Sequence, residues 1–328
     1  MSYTLMSDED YQALLAYTPS SFIIPDEDEV PVFPLVTSCI ICLLGVLGNL
    51  LVMWIARREM KKTVSMLWLL NLSVADFIFT AMLPFSIAQL ALKTHWPFGN
   101  FMCKLVSFTN HLNMFASVFV LSVISLDRCI SVMLPVWSQN HRTVKFAKGV
   151  SLVVWILAIG ASVPFFLVRE TEEDTLIGKT YCFYSLDLNH LTALIVTRFF
   201  LAFLIPFFTI ATCYSVIAVK VRRRWKKTSG KSCKLVTMII LAFFVCWIPF
   251  HVLTMIHVMS DEEFSVWLPT VTSLAYANSC INPILYVFTG RGSACHFKKR
   301  IQVALRALHE ELSYSGSKSE TRPSRGTV

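Results

Sequence analysis

Seven long apolar blocks constrain this chain more than any other feature, because a helix needs about 20 mainly apolar residues to cross the hydrocarbon core of a bilayer. They run approximately from Val32 to Ala56, Val64 to Leu92, Asn100 to Val132, Lys148 to Leu167, Leu191 to Val219, Leu235 to Met259 and Trp267 to Phe288. A membrane β-barrel would instead show alternating segments of about ten residues. Only 15% of the 328 residues are charged, against about 25% in soluble domains, which argues against a soluble enzyme. The third block is the most diluted, by Ser107, Thr109, Asn110, His111 and Asn113, yet the run Met114 to Leu126 behind it needs burial. The expected fold class is an all-α integral membrane protein, a seven-transmembrane helix bundle.

Charge placement orients the bundle. With the amino terminus outside, the loops assigned to the cytoplasm are dominated by Lys and Arg, and Glu59 is their one acid. The outer segments carry an excess of Asp and Glu. Lys and Arg near the spans decide orientation, so residues 1–31 are expected to form an acidic extracellular amino terminus and 32–288 the bundle. Residues 289–328 then make a cytoplasmic amphipathic helix, around Lys298, Lys299, Arg300, Ile301, Val303 and Leu305, and a Ser/Thr-rich tail. The basic run from Lys220 to Lys234 reads on composition as a topology determinant. A cleavable signal peptide is not expected, and the sequon Asn71-Leu72-Ser73 falls inside the second block, where it should go unused.

The ten cysteines sort by compartment. Only Cys103, at the outer end of the third block, and Cys182, in the loop after the fourth, fall clearly on the oxidising side. A bridge between them would tie that loop over the mouth of the bundle; the other reading is two free thiols. Among charges inside the blocks, Asp76, Asp127, Arg128 and Arg198 stand out. An ionisable group at mid-span costs at least about 2.5–3.5 kcal/mol and so points to function. Asp76 lies deep, with no cation nearby in sequence, and must be neutral, hydrogen-bonded or paired with a mobile ion.

Several motifs follow in order, each in the matching block. They are Gly48-Asn49, Asn71-Leu72-Ser73-Val74-Ala75-Asp76, Asp127-Arg128-Cys129, Trp155, Pro206 with Tyr214, Cys246-Trp247-Ile248-Pro249 and Asn282-Pro283-Ile284-Leu285-Tyr286. Together they resemble the rhodopsin-like (class A) G-protein-coupled receptors. Finer segments are similar to the chemoattractant branch: Met60 to Val64, His95-Trp96-Pro97-Phe98-Gly99, Leu112 to Ser117, and Leu134 to Arg142. The chemerin receptors look closest, then the formyl-peptide receptors and the prostaglandin D chemoattractant receptor.

The resemblance implies a plasma-membrane receptor for an extracellular chemoattractant, a chemerin-like peptide or small protein, acting through heterotrimeric G proteins of the inhibitory class in leukocyte migration and inflammation. Arrestin and receptor kinases would act at the tail. Membrane lipids are the remaining expected partner; nucleic acid and enzymatic activity are not expected. Asp76, Asn113, Ser117, Asn278 and Asn282 form the set that, by resemblance, surrounds a sodium ion, and the alternative is a water-filled cluster; no other cofactor is expected. Asp127, Arg128, Tyr214, Trp247, Pro249, Pro283 and Tyr286 match the activation and G-protein-coupling positions. Prolines within spans remove a backbone hydrogen bond, and Pro249 and Pro283 read as hinges rather than static bends.

For the ligand, the seventh block has no Lys to hold a retinal Schiff base, and Asn110 stands where amine receptors carry Asp. His111 replaces an Asp of the formyl-peptide receptors, which disfavours formyl-methionine. Thr197-Arg198-Phe199 matches a segment whose Arg faces the ligand cavity, so Arg198 is expected to anchor a ligand carboxylate, and Asn110 and His111 are the other ligand-binding candidates. The alternative is an Arg whose head reaches the outer interface. The acids Asp8, Glu9, Asp10, Asp26, Glu27, Asp28 and Glu29 favour a cationic peptide or protein, or merely solubilise the tail. Tyr11 is a sulfation candidate and Cys295 a palmitoylation candidate. The competing functional readings are a receptor for an acidic lipid mediator and a scavenger receptor that does not signal.

Overall fold

The computed structural model describes residues 31–59, 63–175, 178–224, 230–259 and 267–289. The acidic amino terminus with Tyr11, the amphipathic helix, Cys295 and the Ser/Thr-rich tail lie outside the described residues. The helices are α1 (Val32–Glu59), α2 (Val64–Ala91), α3 (Gly99–Met133), the short α4 (Pro135–His141), α5 (Val144–Leu167), α6 (Leu188–Phe199), α7 (Ile205–Arg224), α8 (Gly230–Met259) and α9 (Leu268–Thr289). A π turn, Phe200–Leu204, joins α6 to α7, so both belong to one span. Among the described residues six spans are long and apolar enough to cross a membrane, and α9 supplies the seventh helix, packed on α1, α2 and α8.

The bundle is polar inside and apolar outside, the reverse of a soluble protein. Asn49, Asn71, Asp76, Asn113, Ser117, Asn278 and Asn282 are buried, whereas Leu43, Leu47, Leu152, Ile156 and Phe208 are exposed. Such an arrangement is stable where hydrocarbon bathes the outer surface. The sequon residue Asn71 is buried, donating to Ser151 Oγ at 3.1 Å and accepting from Trp155 Nε1 at 2.8 Å. Helix α3 runs through the centre, against α2, α5 and α7. Small residues permit close approach of helices elsewhere: a Cβ on Gly48 would stand 2.9 Å from Pro283 Cβ, so α1 and α9 meet at that glycine.

Local chemistry sets ends that hydropathy alone misplaces. Thr143 is extended and its Oγ1 accepts from the Phe146 N–H at 3.2 Å, which starts α5 at Val144 rather than at Lys148. Pro206 cannot donate a backbone hydrogen bond, and the chain just before it widens: the Ile205 N–H bonds to Phe200 O, five residues back. A π turn thus stands immediately before Pro206. Pro249 and Pro283 lie inside α8 and α9.

Between α5 and α6 an antiparallel hairpin forms from β1 (Arg169–Asp174) and β2 (Lys179–Tyr184), with Arg169 paired to Tyr184 and Asp174 to Lys179. Gly178, at φ +66°, supplies the left-handed residue of the connection. The Trp96 N–H donates to Thr180 O at 2.8 Å, so the α2–α3 loop holds the same hairpin.

Candidate ligand cavity, polar core and switch end

At the hairpin end, Cys103 of α3 is bonded to Cys182 of β2, with their Cα atoms 5.8 Å apart. The bridge expected between them therefore forms. Both half-cystines are buried with Trp96 and Val106 in a small apolar cluster that Phe85, Phe98 and Met102 close over. The hairpin is thereby held against α3, over the mouth of the bundle.

Beneath it lies a cavity lined chiefly by Asn110, His111, Arg198, Trp247, Phe250 and Tyr276. Asn110, His111 and Arg198 are the three ligand residues expected from sequence, and the fold brings them together. Arg198 is 3% exposed; its Nη2 donates to Thr254 Oγ1 at 3.4 Å and its guanidinium lies 4.9 Å from the Phe250 ring centre. It points into the bundle and does not reach for the outer interface. His111 stacks on Phe165 at 3.6 Å, with Nδ1 2.8 Å from Ser107 O. Asn110 Nδ2 donates to Tyr276 Oη at 3.4 Å. Among the described residues the lining contains a cation and no Asp or Glu, and its remaining surface is mostly apolar.

Two residues near the cavity were not singled out from sequence. Arg169, at the root of the hairpin, is fully buried, lies 4.3 Å over the Tyr184 ring and donates to Cys182 O at 3.4 Å. Burial pushes its pKa below the usual arginine value, and Tyr184 and Tyr276 nearby oppose the shift. In sequence it is only one more outer charge. His251 of α8 is fully buried among Phe203, Trp247 and Phe250, and neither ring nitrogen makes a hydrogen bond. A histidine two residues past a span proline carries no signal that would have marked it.

Deeper in the bundle, Asn282 Nδ2 donates to Asp76 Oδ2 at 2.9 Å, Asn113 Nδ2 to Ser279 Oγ at 2.9 Å, and Ser117 Oγ to Asn113 Oδ1 at 3.4 Å. Four of the five expected residues, Asp76, Asn113, Ser117 and Asn282, thus join one polar core, and Ser279 is an addition. Asn278 is buried one helical turn before Asn282, and neither of its amide atoms makes a hydrogen bond. Asp76 Oδ1 and Asn282 Oδ1 are likewise buried acceptors without a donor. These are hard oxygen ligands of the kind that suit a small alkali cation. Asn113 also lines the cavity, and so touches both places.

At the opposite end of α3, Asp127 and Arg128 turn to different partners. Both Asp127 oxygens are taken by Arg142, Nε at 2.7 Å and Nη2 at 2.9 Å, in the bidentate fork that arginine offers a carboxylate. Arg128 Nη2 donates instead to Ser65 Oγ at 2.7 Å, and Arg142 Nη2 reaches the same oxygen at 3.2 Å. Neither Ser65 nor Arg142 had been assigned a role from sequence. Tyr214 and Trp247 pack in the main apolar core, and the side chain of Tyr286 lies outside the described residues. Among the described residues no group of three or more His, Cys, Asp or Glu side chains is placed to hold a metal.

Residues 48–286 match the family described as 7 transmembrane receptor (rhodopsin family). The chain is 41% identical to chemerin-like receptor 1 of Homo sapiens, over 94% of this chain and 92% of that one. It is 42% identical to a C3a anaphylatoxin chemotactic receptor of Danio rerio, over 91% of this chain and 81% of the relative. Formyl peptide receptor 2 of Mus musculus is 38% identical over 86% of each. These relatives are receptors and not enzymes. With its helical bundle, hairpin disulfide and buried polar core, this chain belongs to the rhodopsin family of seven-transmembrane, G-protein-coupled receptors, in their chemoattractant branch.

Proposed function

We propose that this receptor sits in the plasma membrane with its amino terminus outside, binds a chemerin-like peptide or small protein, and signals through inhibitory G proteins to direct leukocyte migration. The observation that carries the ligand reading is the acid-free cavity around buried Arg198, beneath a hairpin that displays Glu170, Glu172 and Glu173. The cavity favours a carboxylate, and the acidic hairpin favours a cationic body outside it. A peptide carrying basic residues and a free carboxyl terminus satisfies both. An acidic lipid mediator satisfies the cavity alone.

The test is an Arg198→Ala receptor assayed with a chemerin-like peptide bearing a free carboxyl terminus and with its amidated form. Loss of a charge-assisted bond costs about 1.5–3 kcal/mol, so the free-acid peptide should weaken by about tenfold to a hundredfold. The amide should change little. Arg198→Lys should recover part of the loss, because the bidentate fork is missing. Equal weakening of both peptides would make Arg198 a structural residue, and a response confined to acidic lipids would replace the peptide reading.

Asp76, Asn113, Ser117, Asn278 and Asn282 are proposed to hold a sodium ion, supported by the buried acceptor oxygens at Asp76 and Asn282. When bound, the ion would supply charge compensation to Asp76. Linkage is reciprocal, so an ion that favours the resting state lowers agonist affinity. Radioligand binding measured across a sodium titration should therefore show sensitivity in the unmodified receptor and lose it in Asp76→Asn. A receptor indifferent to sodium would remove the ion site.

A further inference from the structure

Arg128 is held by a residue distant in sequence and not by the acid beside it. Because Arg142 occupies both oxygens of Asp127, the adjacent carboxylate is already engaged in a bidentate pair. The shortest bond of the Arg128 guanidinium is the 2.7 Å contact to Ser65 Oγ, a length typical of hydrogen bonds from a charged donor. A hydroxyl oxygen has two lone pairs, and here Arg128 and Arg142 both donate to it.

The surroundings make this contact easy to release. Thr63 caps α2, which places Ser65 in the first turn of that helix. Helix amino termini carry partial positive charge, so two guanidiniums converging there are opposed by the helix field. Asp127 offsets one of the two charges. Among the described residues the remaining cation, Arg128, is held by the Ser65 hydroxyl, and its Nε makes no hydrogen bond. Ser131 Oγ donates to Asp127 O at 2.7 Å and lies 3.1 Å from Ser138 Oγ of α4, which fixes the loop that presents Arg142.

We propose that Ser65 is a positioning residue that parks Arg128 away from the G-protein surface and so sets the activity of the receptor without ligand. The inference rests on the coupling role proposed for Arg128. The parked arrangement competes with one in which Arg128 turns to the bound G protein, and the Ser65 hydroxyl weights that choice. Arg142 participates twice, by engaging Asp127 and by sharing the Ser65 oxygen.

The experiment needs no agonist. Full-length receptor in lipid nanodiscs is mixed with purified inhibitory heterotrimer, and basal nucleotide exchange is followed by GTPγS binding. Ser65→Ala should raise the basal rate by on the order of tenfold, the effect of removing one hydrogen bond to a charged group. Ser65→Thr retains the hydroxyl and should restore the low rate. A basal rate in Ser65→Ala equal to that of the unmodified receptor, or a Thr variant as active as the Ala variant, would overturn the proposal. Thermal unfolding read on the same samples separates a structural role, since loss of stability without a rise in basal exchange also overturns it. Arg128→Ala, run alongside, tests the underlying reading: normal exchange there would refute the coupling role, whereas lost exchange with an inert Ser65→Ala refutes the parking role alone.

Discussion

Replacing Cys103 or Cys182 by Ser should largely abolish ligand binding at the cell surface. The bridge spans 79 positions in sequence, and closing a loop of that length restricts the unfolded chain by about 4.5 kcal/mol on chain-entropy arithmetic. The local cost adds to this. Cys103 and Cys182 are 1% and 3% exposed, inside a cluster with Trp96 and Val106, so a Ser hydroxyl would be buried where its neighbours are apolar. Release of the bond also frees β2 from α3, and with it the root of the hairpin, where Arg169 bonds to the carbonyl of Cys182. The cavity would lose its roof. Surface binding and thermal unfolding of the purified receptor should fall together in either variant. Unchanged binding, with both thiols of the native receptor open to a membrane-impermeant alkylating reagent, would refute the bridge's role.

Arg128→Ala should leave the bundle intact while agonist-driven nucleotide exchange falls to background. Arg128 donates a short bond to Ser65 at a half-buried site, so its loss removes about 1–2 kcal/mol of contact and little packing. Arg142→Ala should behave differently. It strips a bidentate partner from Asp127, whose side chain is 12% exposed against 26% for Arg142. Removing one member leaves a carboxylate largely out of water, but partial exposure of the pair tempers the cost, to about 1–3 kcal/mol. Melting temperature should therefore drop more in Arg142→Ala than in Arg128→Ala, with the order reversed for exchange. Full exchange in Arg128→Ala would transfer the coupling role to another group.

Much of the architecture was legible because hydropathy is a local property. Each span announces itself within about 20 residues. The hairpin was not legible. The strand Arg169–Asp174 is wholly polar, RETEED, and shows no apolar alternation, since its pairing is fixed by the disulfide and by Trp96 rather than by a core face. The short helix α4 begins on Pro135, a residue suited to a first helical turn, yet its seven residues are too few for a periodic pattern. Nor does a count of charges distinguish Arg169 or Arg142 from the other cations near the span ends.

By itself the sequence determined that this chain is a bundle of membrane helices, which polar residues must be hidden from lipid, and, through its motifs, which family it resembles. Tertiary structure decided who meets whom. Asp76 meets Asn282 across 206 positions and Asn113 meets Ser279 across 166, distances over which no sequence pattern distinguishes a partner from a neighbour. Arg128 shows the difference most sharply. Adjacency in the chain suggests Asp127, but successive residues on a helix point about 100° apart, so α3 turns the two side chains to different neighbours. Packing of α2, α3 and α5 then delivers Arg142 to the acid and Ser65 to the arginine.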